Sequence, residues 1–184
     1  MLLSVVAALA LAAQSTAATE LLGIDVPNEF QVGSQARNEH TEIIELVQPP
    51  ETVNDWSRMI TSLMFFNAAP TGLEIFYGQW RAQERSGCPS MTDTRVSGTV
   101  DGHRAIRGTL SCPKDSQTGK AENLSAFLVQ GDANLMMVEV AFRGAFTPAD
   151  DALIERIKGS LKVCDERELK SCSARKPRGF VASK

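Results

Sequence analysis

The sequence has only two histidines, His40 and His103, so any histidine-dependent catalysis must use one of them. It lacks a Gly-x-Ser-x-Gly motif, which would present a nucleophilic serine on a sharp turn. Gly119-Lys120 lacks the preceding glycine and the following hydroxyl residue of a phosphate-binding loop. Both histidines are predicted at hairpin ends, where a surface turn residue is the simpler interpretation. A hydrolase whose catalytic residues are scattered along the sequence therefore ranks third, behind the two non-catalytic functions given below.

The chain also lacks an excess of positive charge. It has 19 Lys and Arg against 22 Asp and Glu, for a net charge of −3. Proteins that bind nucleic acid usually present a strongly basic surface, which neutralises the phosphates. The charge balance therefore argues against a nucleic-acid partner.

The amino-terminal region has a long apolar run but no lysine or arginine before it. Residues 2–13 are apolar except for Ser4, and small and polar residues follow as far as Thr19. This is the pattern of a secretory signal peptide over residues 1–18. The run is shorter than the roughly 20 residues that a membrane-spanning helix needs. No cysteine near the cleavage site could carry a lipid anchor, so the sequence predicts a periplasmic or secreted protein with no transmembrane segment after cleavage.

The four cysteines, Cys88, Cys112, Cys164 and Cys172, include no Cys-x-x-Cys pair. This spacing argues against a redox enzyme and against a zinc site, and export favours two structural disulfides. Four cysteines allow three pairings. The expected hairpin geometry favours Cys88–Cys112, with Cys164–Cys172 holding the tail to the last helix. The sequence predicts neither a metal nor a cofactor.

The apolar pattern predicts an α+β fold, with a single antiparallel sheet flanked by helices in the order ββ-αα-ββββ-α. The first strands are expected at residues 29–38 and 41–48. Helices are expected to start at Thr52 and Thr71, each with an acidic residue three positions later as in a capping box. Two hairpins follow, over residues 92–112 and 124–143, and Thr147-Pro148 begins the last helix. In the first hairpin, a two-residue turn would place Val96 opposite Arg107. A three-residue loop would place Val96 opposite Ile106 and keep one face apolar, so the three-residue loop is predicted.

The mature chain is expected to contain one domain, residues 19–165, and a basic tail, residues 166–184. The tail has Arg175, Lys176, Arg178 and Lys184 and, from Ser173 onward, no acidic residue. A solvated, disordered end is the first interpretation, and weak contact with an anionic surface is the second.

Apolar and aromatic residues concentrate in the two helices predicted between residues 52 and 87. Most of them are expected to pack against the sheet. The alternative is that part of this set lines an apolar pocket or forms a contact surface. The candidate binding residues are Trp56, Met64, Phe65, Phe66 and Trp80.

The order of elements and the helix ending at residues 157–162, Ile-Lys-Gly-Ser-Leu-Lys, resemble the PsbP-like α/β/α sandwich. This group includes photosystem accessory proteins, Mog-type proteins and small bacterial envelope proteins. The segment at residues 51–61 also resembles uncharacterised exported proteins of alphaproteobacteria. The resemblance spans roughly residues 24–165 and implies a non-enzymatic accessory or binding domain, although the four cysteines are not part of the group's general pattern.

Two non-catalytic functions therefore lead. The first is an accessory protein that binds an envelope protein or component through its helical face. The second is a small-molecule binding protein with an apolar pocket between the paired helices and the sheet.

Overall fold

A computed structural model describes residues 20–165, 167, 170, 172 and 175–183. The predicted signal peptide, residues 1–18, lies outside the described residues. Within them, two α-helices and ten strands have assigned bounds. The strands are β1 (Glu20–Gly23), β2 (Gln31–Arg37), β3 (Thr41–Val47), β4 (Arg58–Phe65), β5 (Thr92–Val100), β6 (His103–Cys112), β7 (Glu122–Gln130), β8 (Leu135–Arg143), β9 (Lys162–Asp165) and β10 (Phe180–Ala182), and the helices are α1 (Leu73–Gly87) and α2 (Pro148–Ser160).

Eight strands form one antiparallel sheet in the order β10-β5-β6-β7-β8-β4-β3-β2, while β1 and β9 pair in a small separate sheet. Helix α1 packs its aromatic side chains on one face of the large sheet, and α2 packs Ile154 and Ile157 on the other. The predicted α+β class, a sheet flanked by helices, is confirmed. Among the described residues, no helix is long and apolar enough to cross a membrane.

Strand β8 lies inside the sheet and is covered on both faces. Met136, Val138 and Val140 belong to the core under α2. Leu135, Met137 and Ala141 belong to the core under α1. An interior strand covered on both faces is apolar at nearly every position, which makes the charged Glu139 exceptional.

The helix predicted from Thr52 is wrong, because its second half is strand β4 between β3 and β8. Thr52 does accept the Asp55 amide hydrogen at its Oγ1, 3.3 Å away, but the two residues close a turn rather than start a helix. Apart from Thr61 and Ser62, residues 59–66 are apolar towards both faces of the sheet. A short run of that kind fits a helix and a buried strand equally well. Strand pairing on both sides decides between them.

The predicted three-residue loop between β5 and β6 is also wrong. Val100 pairs with His103, which leaves a two-residue turn and places Val96 opposite Arg107. Asp101 and Gly102 both have positive φ, as a type I′ turn requires. The Asp101 carboxylate accepts the Val163 amide hydrogen at 3.0 Å, so β9 helps to hold this turn.

Helix α2 begins as the sequence predicts. The Thr147 hydroxyl and amide both donate to Asp150 Oδ2 at 2.7 Å, completing a capping box with Pro148 in the first turn. Helix α1 differs from the prediction at its start. Gly72 rather than Thr71 is its N-cap, because Thr71 ends a short 3₁₀ turn that begins at Ala69.

Candidate ligand-binding site

The structure divides the five candidate binding residues between the two faces of the sheet. Phe65 and Trp80 lie on the α1 face, and Trp56 is buried in the same core. Met64 packs on the α2 face, because neighbouring residues of a strand point to opposite faces. Phe66 lines a smaller cavity together with Met64. Because Arg58–Phe65 form strand β4 and not a helix, the five residues do not share one helical face.

Phe65 and Trp80 line a cavity of about 470 Å³ between α1 and strands β3, β4 and β8. Pockets for small molecules commonly have about 300–1,000 Å³. Most of the sheet side of the cavity is apolar, and so is part of the α1 side. The main apolar lining residues are Ile43, Met59, Leu63, Phe65, Phe76, Leu135 and Met137.

The cavity exists because α1 covers only part of its face of the sheet. A cross-strand row on this face pairs Glu45 with Thr61, Thr61 with Glu139, and Glu139 with Ala126. Gly108 continues the row beyond Ala126. The small residues let α1 pack closely, since a Cβ at position 108 would lie 2.7 Å from the Trp80 ring. Beyond them, the helix no longer covers the sheet and the row becomes polar.

Glu139 lies at the boundary between the packed helix and the cavity. Trp80 Nε1 donates a hydrogen bond to its carboxylate at 3.0 Å. The residue is half-buried, and its carboxyl borders the cavity space. Burial and the negative charge of Glu84 raise the pKa of Glu139 to about 8, although the Trp80 hydrogen bond acts in the opposite direction. A carboxyl at this position therefore holds a proton near neutral pH.

Glu84 approaches the same cavity from α1. Burial, together with the nearby carboxyls of Glu122 and Asp115, raises its pKa to about 7. Burial also raises the pKa of Glu122, although Arg143 partly compensates from 3.3 Å. Glu84 lines both this cavity and the neighbouring polar one that contains Glu122 and Arg143. A connected group of carboxyls thus borders one end of the apolar space.

Neither Glu84 nor Glu139 is among the site residues that the sequence predicts. A signal for Glu139 was present, because it is the one charged residue inside an otherwise apolar strand, at the same alternation as Leu135 and Met137. Glu84 had no such signal, since a glutamate on a helix is ordinarily solvated. Glu84 lines a cavity only because β4, a strand and not the predicted helix, lies in the sheet opposite α1.

The structure joins the cysteines in the two pairs that the sequence favours. Cys88 and Cys112 have Cα atoms 6.0 Å apart, and Cys164 and Cys172 have Cα atoms 5.7 Å apart. Both separations are normal for disulfides. The hairpin register used to favour the first pair is not the observed one. Instead, a turn in which the Met91 amide donates a hydrogen bond to the Cys88 carbonyl places Cys88 next to the end of β6.

Neither histidine lies in the cavity. His40 is exposed in the β2–β3 turn, 3.2 Å from the Glu39 carboxylate. His103 lies near the carboxylates of Glu20 and Asp132, with their ligand atoms close enough to share a metal ion. Both Glu20 oxygens, however, already accept backbone amide hydrogens of Asp132 and Ala133 at 2.9 Å. Glu20 therefore anchors the β7–β8 turn.

The described part of the basic tail is built into the fold, so the expectation of a solvated, disordered end is wrong there. Phe180–Ala182 pair with β5 as the edge strand β10. Arg175 donates to the Asp101 carboxylate at 2.9 Å, and Arg178 lies 4.0 Å from the same group. Lys176 lies exposed in the intervening loop, whereas Lys184 lies outside the described residues.

Comparison with known proteins identifies the fold but no family. No protein-family model matches the sequence, and no curated protein matches it significantly. Among solved structures, the chain resembles that of LpqN, described as involved in cell envelope biogenesis of Mycobacterium tuberculosis. The TM-score is 0.52 at 14% sequence identity, covering 82% of this chain and 87% of LpqN. At this identity the likeness concerns the fold alone.

Proposed function

We propose that this protein is an exported, non-catalytic binding protein of the bacterial envelope, which holds an apolar small molecule in the cavity between α1 and the sheet. The cavity is the observation that carries the proposal. Apolar side chains at Met59, Leu63 and Phe65 border open space there instead of closing on one another. Burial of that surface by a ligand would be favourable, at roughly 25 cal/mol per Å².

The envelope location rests on two features of the chain. Residues 1–18 have the pattern of a cleavable signal peptide. The four cysteines lie in two pairs at disulfide distance, and disulfides persist mainly in extracytoplasmic compartments. Together they support a periplasmic or secreted protein.

The fold likeness adds support of a weaker kind. LpqN is described as a protein of cell envelope biogenesis, and the resemblance to PsbP-like sandwiches implies an accessory or binding domain without catalysis. Both are compatible with a ligand-binding role outside the cytoplasm. Neither identifies the ligand, so the chemistry of the cavity must do so.

Ligand extraction from native protein tests the proposal. The untagged protein would be purified gently from the envelope, washed, denatured and extracted with organic solvent for mass spectrometry. We expect a reproducible lipophilic species. The purified protein should also enhance the fluorescence of a neutral apolar dye such as N-phenylnaphthylamine.

A pair of tryptophan variants locates the binding. Leu63→Trp places a large ring in the cavity, whereas Ile75→Trp adds the same ring on the exposed side of α1. We expect Leu63→Trp to lose the extracted species and dye binding, and Ile75→Trp to retain both. Equal binding by all three proteins, or none by the wild type, would overturn the proposal.

A further inference from the structure

The geometry points to one class of ligand for this cavity: an amphiphile with an apolar body and a cationic head, such as an alkylamine or a quaternary ammonium compound. This inference rests on the proposed function, since it concerns the same cavity. It specifies the charge of the ligand, which an apolar lining alone does not determine.

The charged groups that line the cavity all have the same sign. Glu45, Glu84 and Glu139 contribute carboxyls from three different elements, and none of the described lining residues is basic. Two of the three, Glu45 and Glu139, flank Thr61 in one cross-strand row. A ligand head at this end of the cavity therefore meets carboxyls from the sheet and from the helix.

Two basic groups of the surrounding elements are already paired. Arg143 lies outside the lining, 3.3 Å from the Glu122 carboxylate and 3.8 Å above the Trp56 ring. On the far side of α1, Arg81 donates two hydrogen bonds to Asp93. Neither is placed to receive an anionic head. A fatty acid would therefore add its own carboxylate to the three carboxyls of the cavity, with no cation to pair with it.

Aromatic rings complete the arrangement. Phe65, Phe76 and Trp80 line the same space, and Phe65 and Phe76 hold an edge-to-face contact with centroids 5.0 Å apart. Aromatic faces attract cations through the ring quadrupole, and aromatic cages bind quaternary ammonium groups in this way. The apolar body of the ligand would lie along Met59, Leu63 and Met137.

Charge balance couples this binding to protons. In the empty cavity, burial keeps protons on Glu84 and Glu139 near neutral pH. When a cationic head enters, a carboxyl proton leaves to bulk water and the carboxylate pairs with the head. The charged and titratable groups facing this end are Glu45 from β3, Glu84 from α1, Glu122 from β7, Asp115 from the β6–β7 loop and Arg143 from β8.

The test compares three decyl amphiphiles that differ only in the head: decyltrimethylammonium, decanol and decanoate. Each compound is titrated into the purified protein with bound dye, below the critical micelle concentration of the compound, and displacement of the dye is measured. We expect the ammonium compound to bind about tenfold more tightly than decanol, and decanoate to bind more weakly than either. The affinity of the protein for the ammonium compound should rise with pH across the neutral range. Calorimetry of this binding in buffers of different ionisation enthalpy should detect the release of a proton.

A neutralised cavity provides the matched comparison. In the double variant Glu84→Gln with Glu139→Gln, decyltrimethylammonium should lose its advantage over decanol. Glu155→Gln, on α2 and away from the cavity, should keep that advantage. If the double variant does not fold, proton release by the wild-type protein still decides the question.

The two proposals fail differently. If none of the three amphiphiles displaces the dye, the proposed function fails. If decanol binds but decanoate equals or exceeds the ammonium compound, or no proton is released, the cationic-head inference is wrong while the small-molecule function stands.

Discussion

Trp80 and Glu139 are joined by a hydrogen bond of 3.0 Å from the indole nitrogen to the carboxylate, which links α1 to an interior strand of the sheet. The bond satisfies the indole donor in a buried position, and it places an ionisable group beside apolar space. The same pair thus belongs both to the packing of the helix and to the cavity.

The raised pKa of Glu139 predicts that stability falls as pH rises. The folded protein binds this proton up to about pH 8, whereas the unfolded chain releases it near its ordinary value of 4.5. Between those values the folded state holds more protons, so each pH step upward favours unfolding. We expect the free energy of unfolding to drop by on the order of 3 kcal/mol from about pH 5 to about pH 8.

Glu139→Gln removes the titrating group and keeps an acceptor for Trp80. This variant should match the wild type near pH 5 and exceed it at pH 8, as measured by urea denaturation at both values. Glu155→Gln, whose side chain is exposed on α2, should retain the wild-type slope. A Glu139→Gln variant with an unchanged slope would contradict the assignment.

The close contact of Gly108 with Trp80 predicts an opposite outcome for two glycine-to-alanine changes. At position 108 a Cβ would lie 2.7 Å from the Trp80 ring and 3.0 Å from Tyr77, so α1 must move away from the sheet. We expect Gly108→Ala to cost about 2 kcal/mol. Gly78 lies on the exposed side of α1 with no atom near its Cβ position, and Gly78→Ala should stabilise by up to about 1 kcal/mol.

Thermal and urea denaturation of the two glycine variants check this prediction. Because alanine is the better helix former, a destabilised Gly78→Ala would show that α1 is not helical at that position. A neutral Gly108→Ala would show that the helix does not rest on the small residues of the sheet.

Much of the fold follows from the sequence, and the errors share one cause. Turn residues and caps marked the β2–β3 and β7–β8 turns and the start of α2, because these signals depend on local chemistry. Strand β4 was missed because its apolar pattern reflects burial on two faces, which only the assembled sheet imposes. Long-range pairing also decided the β5–β6 register, where Val96 stays 41% exposed.

The candidate site was predictable only in part. The sequence indicated an apolar pocket against the sheet, and Phe65 and Trp80 do line one. The predicted neighbour of these two residues was a second helix, which is wrong, so the sequence could not place Glu45 or Glu84 in the same cavity as Glu139. Side chains from α1, β3 and β8 meet there through the strand order, which no local pattern encodes.

The two disulfides should differ in their contribution to stability. Cys88–Cys112 closes a sequence separation of 24 residues, and Cys164–Cys172 closes one of 8. A longer loop has more unfolded-state freedom to lose, so replacing the first pair by serine should cost about 3 kcal/mol and the second about 1 kcal/mol less. Urea denaturation of the two double variants measures this, and intact mass should show the wild type four hydrogens lighter than its reduced form. A larger loss from the second pair would contradict the loop argument.

Asp150 predicts the behaviour at acid pH. Burial alone would raise its pKa, but hydrogen bonds from Thr147 and from Arg58, the latter at 2.6 Å, hold the pKa below its usual value. The stabilisation is therefore present above the ordinary carboxyl pKa and disappears as pH falls through the lower, folded value. Asp150→Asn should cost about 2 kcal/mol at neutral pH, since Arg58 loses its charged partner and the capping box is weakened.

The exposed neighbour Asp151 serves as the control, because Asp151→Asn changes the same helix turn without touching Arg58. Urea denaturation at falling pH should bring Asp150→Asn and the wild type together, and a constant difference down to strongly acid pH would show that the carboxylate charge is not what stabilises this corner.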